Sequence, residues 1–323
     1  MNDLRRNFGL DLVRATEAAA LAAGRWMGMN RRVDADRAAS LAFMRALNSL
    51  DIDGRLVAGE EGKLGAEATL IGGMAVGNGA GPALDGVVDP LDGSHLLAHG
   101  MSGALSVAAF APRGALFAPG PAVYMEKIIV DREVAHALVP ECLGAPAAWT
   151  LALVARAKKR TISELQVFVL DRPRHRDLIE EIRVAGARVT LRADGDVNGA
   201  LMAASATARI DLLMGIGGAS EGVIAACAVK AMGGAMLARL APQSLAEAEA
   251  VRDSGRDLRA IYSGDTLVSS DQIFFAATGI TDGRVLNGVR FNGDRAETDS
   301  LVLRGETFTR RRIIAEHNLR HET

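Results

Sequence analysis

The sequence predicts an α/β protein in two parts, a mixed α+β domain over residues 1–150 and an α/β domain over residues 151–323. Three observations lead there. Two helices, the first with an apolar stripe, open the chain and several short strands follow them, the order of an α+β unit. After residue 150, strands and helices alternate with short connections, which implies a mostly parallel sheet covered on both faces. At 323 residues the chain has room for two domains, each with a sizeable core.

Taken in order, residues 3–27 carry Phe8, Leu12, Ala15, Ala19, Ala22 and Trp26 on one apolar stripe, so the segment reads as a helix. A second helix begins near Asp34 or Asp36 and runs to about Leu50. Asp36 falls in its first turn, where the helix dipole favours an acid whether or not the residue has chemistry to do. Arg55 to Ala58 reads as a strand that delivers Gly59-Glu60-Glu61. A glycine-rich connection (Gly72, Gly73, Gly77, Gly79, Gly81) leads to a strand through Leu84, Val87 and Val88 that ends at Asp89, and Ala104 to Phe110 is a further apolar strand. In the second part, strands are expected at 165–170, 188–191 and 210–214, and helices at 174–185, 197–206 and 221–232. Ligands of such sheets bind at the carboxyl ends of strands, where Asp194-Gly195-Asp196 and the glycine turn Gly215-Ile216-Gly217-Gly218 are expected.

Composition narrows the function. Hydrophobic residues are 49% and charged residues 24%, an ordinary globular balance, and the net charge of −2 carries no footprint for nucleic acid. With 4% aromatics, base-stacking platforms are not expected either. Arg310-Arg311-Arg312 reads as a solvated face or an anion contact. Cys142 and Cys227 are too few for a disulfide framework or a zinc site, and Cys227 reads as a packed thiol. The N-terminus is charged and amphipathic, unlike a signal peptide, and the apolar runs fall short of a membrane span. A cytoplasmic protein with no membrane partner is expected.

The chemistry concentrates in Asp89-Pro90-Leu91-Asp92-Gly93-Ser94. Proline cannot continue a ladder of hydrogen bonds, so Asp89 is expected at a strand end and Asp92 on a tight turn. Such a turn aims Asp89, the Leu91 carbonyl and Asp92 at one point, an all-oxygen set of the kind hard divalent cations take. Ser94 then stands where a hydroxyl orients a water. Asp, Pro and Gly also make ordinary surface turns, which is the competing reading. Four acidic stations weigh against it: Asp36, Glu60-Glu61, Asp89 with Asp92, and Glu221. Together they suggest a site of two or three metals for phosphate-ester hydrolysis. The glycines at 215–218 suggest backbone N–H groups cradling an anion; a dinucleotide fingerprint would need glycine where Ser220 stands. Arg172-Pro173-Arg174-His175 offers two guanidinium groups to a phosphate, or simply surface charge. His95 and His99 are at helical spacing and are not assigned as ligands.

With these residues assembled, the chain resembles the class II fructose-1,6-bisphosphatases, a branch of the lithium-sensitive, metal-dependent sugar and inositol phosphatases. The resemblance runs over nearly the whole length. It is carried by Arg14-Ala15-Thr16-Glu17, Ile52-Asp53-Gly54, Val88-Asp89-Pro90, Tyr124-Met125-Glu126-Lys127, Arg172-Pro173-Arg174-His175, Asp194-Gly195-Asp196-Val197, Gly215 to Gly222, Ala277-Thr278-Gly279 and Leu303-Arg304-Gly305.

The resemblance implies a layered α/β sandwich, often a homo-oligomer (dimer or tetramer), that belongs to gluconeogenesis and carbohydrate metabolism. It implies Asp36, Glu60, Asp89, Asp92 and Glu221 as ligands of Mn²⁺ or Mg²⁺. Asp92, Gly93 and Ser94 match a substrate-contacting turn, with Ser94 where a threonine normally helps to orient the water. Ser94, Asp36 and Glu60 are thus the expected catalytic group. Tyr124, Arg172, Pro173, Arg174, Asp194, Gly195, Asp196 and Gly218 match positions that hold the sugar bisphosphate. The implied reaction is removal of the 1-phosphate of fructose 1,6-bisphosphate, and of sedoheptulose 1,7-bisphosphate as well, by a metal-activated water.

This chain also departs from the family's pattern. After Glu60 it reads Glu61-Gly62-Lys63-Leu64-Gly65-Ala66-Glu67, where the family typically has Gly-Glu-x-Asp-Glu-Ala-Pro, so two acids are absent and a lysine is present. Arg32 stands for a lysine and Asp92 for a glutamate. Glu60-Glu61 with the Asp89 to Ser94 run looks more like the inositol-monophosphatase branch. The alternatives are therefore an enzyme for another sugar or inositol phosphate, or a catalytically weak sugar-phosphate sensor.

Overall fold

The computed structural model describes residues 8–60 and 68–320. Its architecture is α/β, as predicted, built on two mixed sheets. The chain divides by its contacts into one unit of residues 1–116 with 272–323, and another of residues 117–271. This differs from a single boundary after residue 150. The strand at Tyr124–Val130 hydrogen-bonds to strands further along the chain, which draws the boundary back to residue 117. From residue 272 the chain returns to the first sheet, where Phe275 pairs with Ala109.

The first unit opens with α1 (Phe8–Gly24) and α2 (Arg32–Asn48). The expected stripe is the buried face of α1: Phe8, Leu12, Ala15 and Ala19 are all inside, while Trp26 lies beyond its end. Strands β1 (Asp53–Ala58), β2 (Ala75–Val76), β3 (Ala83–Asp92), β4 (Leu105–Pro112), β11 (Phe274–Gly279), β12 (Arg290–Asn292), β13 (Arg295–Arg304) and β14 (Thr309–Asn318) form its sheet. The order is β12-β13-β11-β4-β3-β1-β2, with β14 on β13, and only β1 and β3 run parallel. A polar seam ties helix to sheet: the Thr16, Thr278 and Ser300 hydroxyls follow one another at 2.7 and 2.8 Å in the buried interior.

The second unit holds a six-stranded sheet in the order β10-β9-β5-β8-β6-β7. These are β5 (Tyr124–Val130), β6 (Gln166–Leu170), β7 (Arg188–Arg192), β8 (Leu212–Gly218), β9 (Ala235–Leu240) and β10 (Tyr262–Ser263). Helices α4 (Ala147–Ala157) and α5 (Arg176–Val184) cover one face, where Val167, Val169, Leu151, Val154, Ile179 and Ile182 make one core. On the other face α6 (Asp196–Ala203) packs so closely that a Cβ at its Gly199 would stand 2.4 Å from the Phe168 ring. Helix α7 (Ala219–Ala231) follows β8 directly. Both faces are covered, as the alternating pattern predicts. The sheet is mixed rather than mostly parallel, because β5 lies between β8 and β9 and runs antiparallel to both.

Candidate active site

In the first unit the expected residues lie on α2, just beyond β1 and at the end of β3. Strands β1 and β3 pair in parallel as far as Ala58 and Val87, so Glu60 and Asp89 each lie two residues beyond the last pair. Asp36, Glu60, Asp89 and Asp92 are all buried, at 2–3% exposure. Helix α2 starts at Arg32, earlier than expected, so the acid in its first turn is Asp34, paired with Arg31 at 2.7 Å. The dipole-compensating role therefore falls to Asp34, and Asp36 lies two residues further on, at the start of the second turn.

Two short polar chains start from Asp36 and reach Glu60 and Ser94. The Ser40 hydroxyl lies 2.7 Å from the Asp36 carbonyl oxygen and 2.8 Å from Glu60 Oε1. Its single proton serves one acceptor at a time, and the carboxylate makes the stronger bond. Arg32 Nε donates to Ser94 Oγ at 2.7 Å and stands 3.8 Å from Asp36 Oδ2.

The Asp-Pro-Leu-Asp run is not a strand end followed by a turn. Strand β3 continues to Asp92, with Asp89 opposite Val107 and Asp92 opposite Leu105, so the stretch carries one extra residue. A bulge of this kind tolerates the missing proline N–H and re-aims side chains. The Leu91 N–H donates to Asp89 Oδ1 at 3.2 Å. The turn comes at Gly93, whose φ of +86° requires glycine, and α3 (Ser94–Ala98) begins at the next residue. Within α3 and just after it, the His95 and His99 rings lie 4.2 Å apart at a tilt of 42°, and His99 Nδ1 lies 2.8 Å from the His95 carbonyl oxygen.

In the second unit the other expected residues lie around the carboxyl ends of β6, β7 and β8. Arg174 Nε and Nη2 donate to the Ile216 carbonyl at 3.1 and 2.8 Å, with the guanidinium 5.0 Å above the Tyr124 ring. The Val123 and Tyr124 N–H groups donate to Glu247 Oε1 at 2.8 and 3.0 Å. Arg172 approaches Asp194 at 3.6 Å. Gly195, with φ +88°, precedes α6. Pro173 begins a 3₁₀ turn that ends at His175. Ser220 Oγ donates to Glu221 Oε2 at 2.9 Å.

Gly215 to Gly218 is strand, the end of β8, and not the expected glycine turn. These glycines make room for side chains. A Cβ at Gly217 would fall 1.9 Å from Asp196 Oδ2, and one at Gly218 would fall 1.8 Å from Glu221 Oε2. Lys127, 1% exposed, pairs with Asp196 and reaches the Gly218 carbonyl at 3.3 Å. Sequence reasoning missed Lys127 as a functional neighbour. Its signal is a lysine inside the apolar strand Tyr124–Val130, where burial calls for a carboxylate partner.

The chain matches the profile of bacterial, glpX-encoded fructose-1,6-bisphosphatases over residues 6–317. It belongs to that family. It is 36% identical over 98% of its length to the class 2 fructose-1,6-bisphosphatase of Haemophilus influenzae, spanning 97% of that protein. It is 37% identical over 98% of its length to fructose-1,6-bisphosphatase 1 class 2 of Escherichia coli K12, spanning 96% of that protein.

The family is metal-dependent. Among the described residues no three His, Cys, Asp or Glu side chains are gathered into a metal-binding group, so the fit is one of donor chemistry. Asp36, Glu60, Asp89 and Asp92 are buried oxygen donors on one unit, with no thiolate or imidazole among them, as hard cations require. Glu61 and Lys63 lie outside the described residues. Among the described residues no helix is long and apolar enough to cross a membrane.

Proposed function

We propose that this chain is a phosphoric monoester hydrolase that releases the 1-phosphate of fructose 1,6-bisphosphate, leaving fructose 6-phosphate, and that also accepts sedoheptulose 1,7-bisphosphate. Family membership across residues 6–317 carries this reading. Support comes from the burial of the carboxylates Asp36, Glu60, Asp89 and Asp92, and from a hydroxyl, Ser94, held by the same guanidinium that stands by Asp36.

Asp36, Glu60, Asp89, Asp92 and Glu221 are the proposed ligands of Mn²⁺ or Mg²⁺. Such a cation, when bound, acidifies water and neutralises charge on the phosphoryl oxygens. The protein's own residues do the rest. Ser94 accepts the Arg32 Nε–H, which leaves its own proton and a lone pair to orient a water. Ser40 holds the Glu60 carboxylate in place. Tyr124, Arg172, Pro173, Arg174, Asp194, Gly195, Asp196 and Gly218 hold the sugar bisphosphate, as do Asp92 and Gly93. Arg174 has two of its five N–H groups on the Ile216 carbonyl, and three remain for phosphate oxygens. The enzyme works in the cytoplasm as a homo-oligomer, consistent with its two free, buried thiols.

The test is the identity of the product. Incubation of purified protein with fructose 1,6-bisphosphate and Mn²⁺, followed by phosphorus NMR, is expected to give fructose 6-phosphate and inorganic phosphate. Fructose 1-phosphate as product, or no product, contradicts the assignment. The run Glu60-Glu61 with Asp89 to Ser94 favours a second reading, an inositol or other sugar phosphate as substrate, and the same assay with inositol 1-phosphate separates the two.

A further inference from the structure

His175 closes the Arg172-Pro173-Arg174-His175 run but has no role in the assignments above. It is 1% exposed. Its Nδ1 lies 2.6 Å from the Leu170 carbonyl oxygen at the end of β6, and its Nε2 accepts the Ile216 N–H of β8 at 2.7 Å. A carbonyl only accepts and an amide only donates, so Nδ1 carries the proton and Nε2 is bare. The ring is thus a neutral clasp of one tautomer between two strand ends.

Its neighbour completes the grip. Arg174 holds the Ile216 carbonyl while His175 holds the Ile216 N–H, so consecutive side chains fasten both polar groups that residue 216 offers. Gly215, at φ +129°, lets the ring come this close, since a Cβ there would stand 2.9 Å from His175 Nε2. A buried amide deprived of its acceptor is costly, so loss of the ring forces residues 215–216 or the arginine turn to move.

We propose that His175 is a positioning residue for sugar-phosphate binding: it fixes the turn that carries Arg172 and Arg174 against β8, so that their guanidinium groups are pre-set for phosphate oxygens. This rests on the reading of Arg172 and Arg174 as substrate-binding residues. Guanidinium–phosphate bonds are directional, and a turn free to shift loses much of their benefit.

Steady-state kinetics with fructose 1,6-bisphosphate on wild type, H175L, H175Q and H175N test the proposal. Leucine removes both bonds, asparagine keeps only a donor near Nδ1, and glutamine keeps an acceptor near Nε2. The expected result for H175L and H175N is a KM raised about tenfold or more with kcat within about threefold, and recovery of most of the KM in H175Q. Amide hydrogen exchange at Ile216 is expected to quicken in H175L and H175N and to stay near wild type in H175Q. Equal KM in all four proteins, or KM and kcat that change together, overturns the proposal. If H175L fails to fold, the H175N and H175Q pair decides it alone. If wild type does not turn over the bisphosphate, the functional reading fails, and calorimetric binding of inorganic phosphate still tests His175. Weaker binding in H175N than in wild type is then expected, and equal binding contradicts the inference.

Discussion

Arg32 Nε donates to Ser94 Oγ at 2.7 Å while standing 3.8 Å from the Asp36 carboxylate, so one guanidinium joins the start of α2 to the turn after β3. A hydroxyl that accepts this bond turns its own proton away from the arginine, which fixes the Ser94 rotor. S94A is expected to lower kcat by about 10²-fold, the scale of a lost proton-handling or water-orienting group. R32A is expected to cost about tenfold, through the lost charged hydrogen bond. If the two act as a unit, the double variant is no worse than S94A alone. Losses that simply multiply in steady-state kinetics contradict the coupling.

Asp89 separates chemistry from folding. Its Oδ1 accepts the Leu91 N–H, a bond that an asparagine oxygen also makes. D89N is therefore expected to keep the melting temperature within a few degrees of wild type and to lose nearly all phosphatase activity. Turnover near the wild-type rate in D89N refutes its role as a metal ligand.

Gly217 is a matter of space. No positive φ is involved there, but a Cβ would stand 1.9 Å from Asp196 Oδ2 and 2.8 Å from Lys127 Nζ. G217A is expected to disrupt the buried pair and to destabilise by about 2–4 kcal/mol in urea denaturation. K127M leaves Asp196 without its cation and is expected to cost about 3–5 kcal/mol. A loss below about 1 kcal/mol in both variants shows that the pair does not support the fold.

Burial holds the His175 pKa below the ordinary histidine value; the bond to Leu170 and nearby Asp196 oppose this, while Arg174 and Lys127 reinforce it. On acidification the unfolded chain takes up the proton first, so stability falls as pH drops from the ordinary value towards the folded one, and this contribution is constant above that window. Between about pH 7.5 and pH 5.5, wild type is expected to lose more unfolding free energy than H175Q, which has no imidazole. Parallel losses in the two proteins remove His175 as the cause.

Local periodicity made much of this legible. The Phe8 to Ala19 stripe is the buried face of α1, and the alternation after residue 150 foretells a sheet with helices on both faces. The acids stand out in the sequence because two carboxylates flank Pro90 and Leu91 directly after an apolar run, and all four of Asp36, Glu60, Asp89 and Asp92 are buried. Pairing between distant segments is what the pattern misses. Nothing near Phe275 announces Ala109 as its partner, and nothing near Lys127 announces Asp196. The bulge at Pro90 and Leu91 is hidden for another reason: a proline without an N–H reads as the end of a strand, while a bulge lets the strand go on.

Phosphate release from fructose 1,6-bisphosphate by the purified protein, measured with Mn²⁺, with Mg²⁺ and with EDTA, decides whether hydrolysis depends on a metal. Release is expected with at least one of the two cations and none with EDTA. Release that persists in EDTA, or its absence with both cations in a protein that still binds the sugar, contradicts metal-dependent hydrolysis of the bisphosphate.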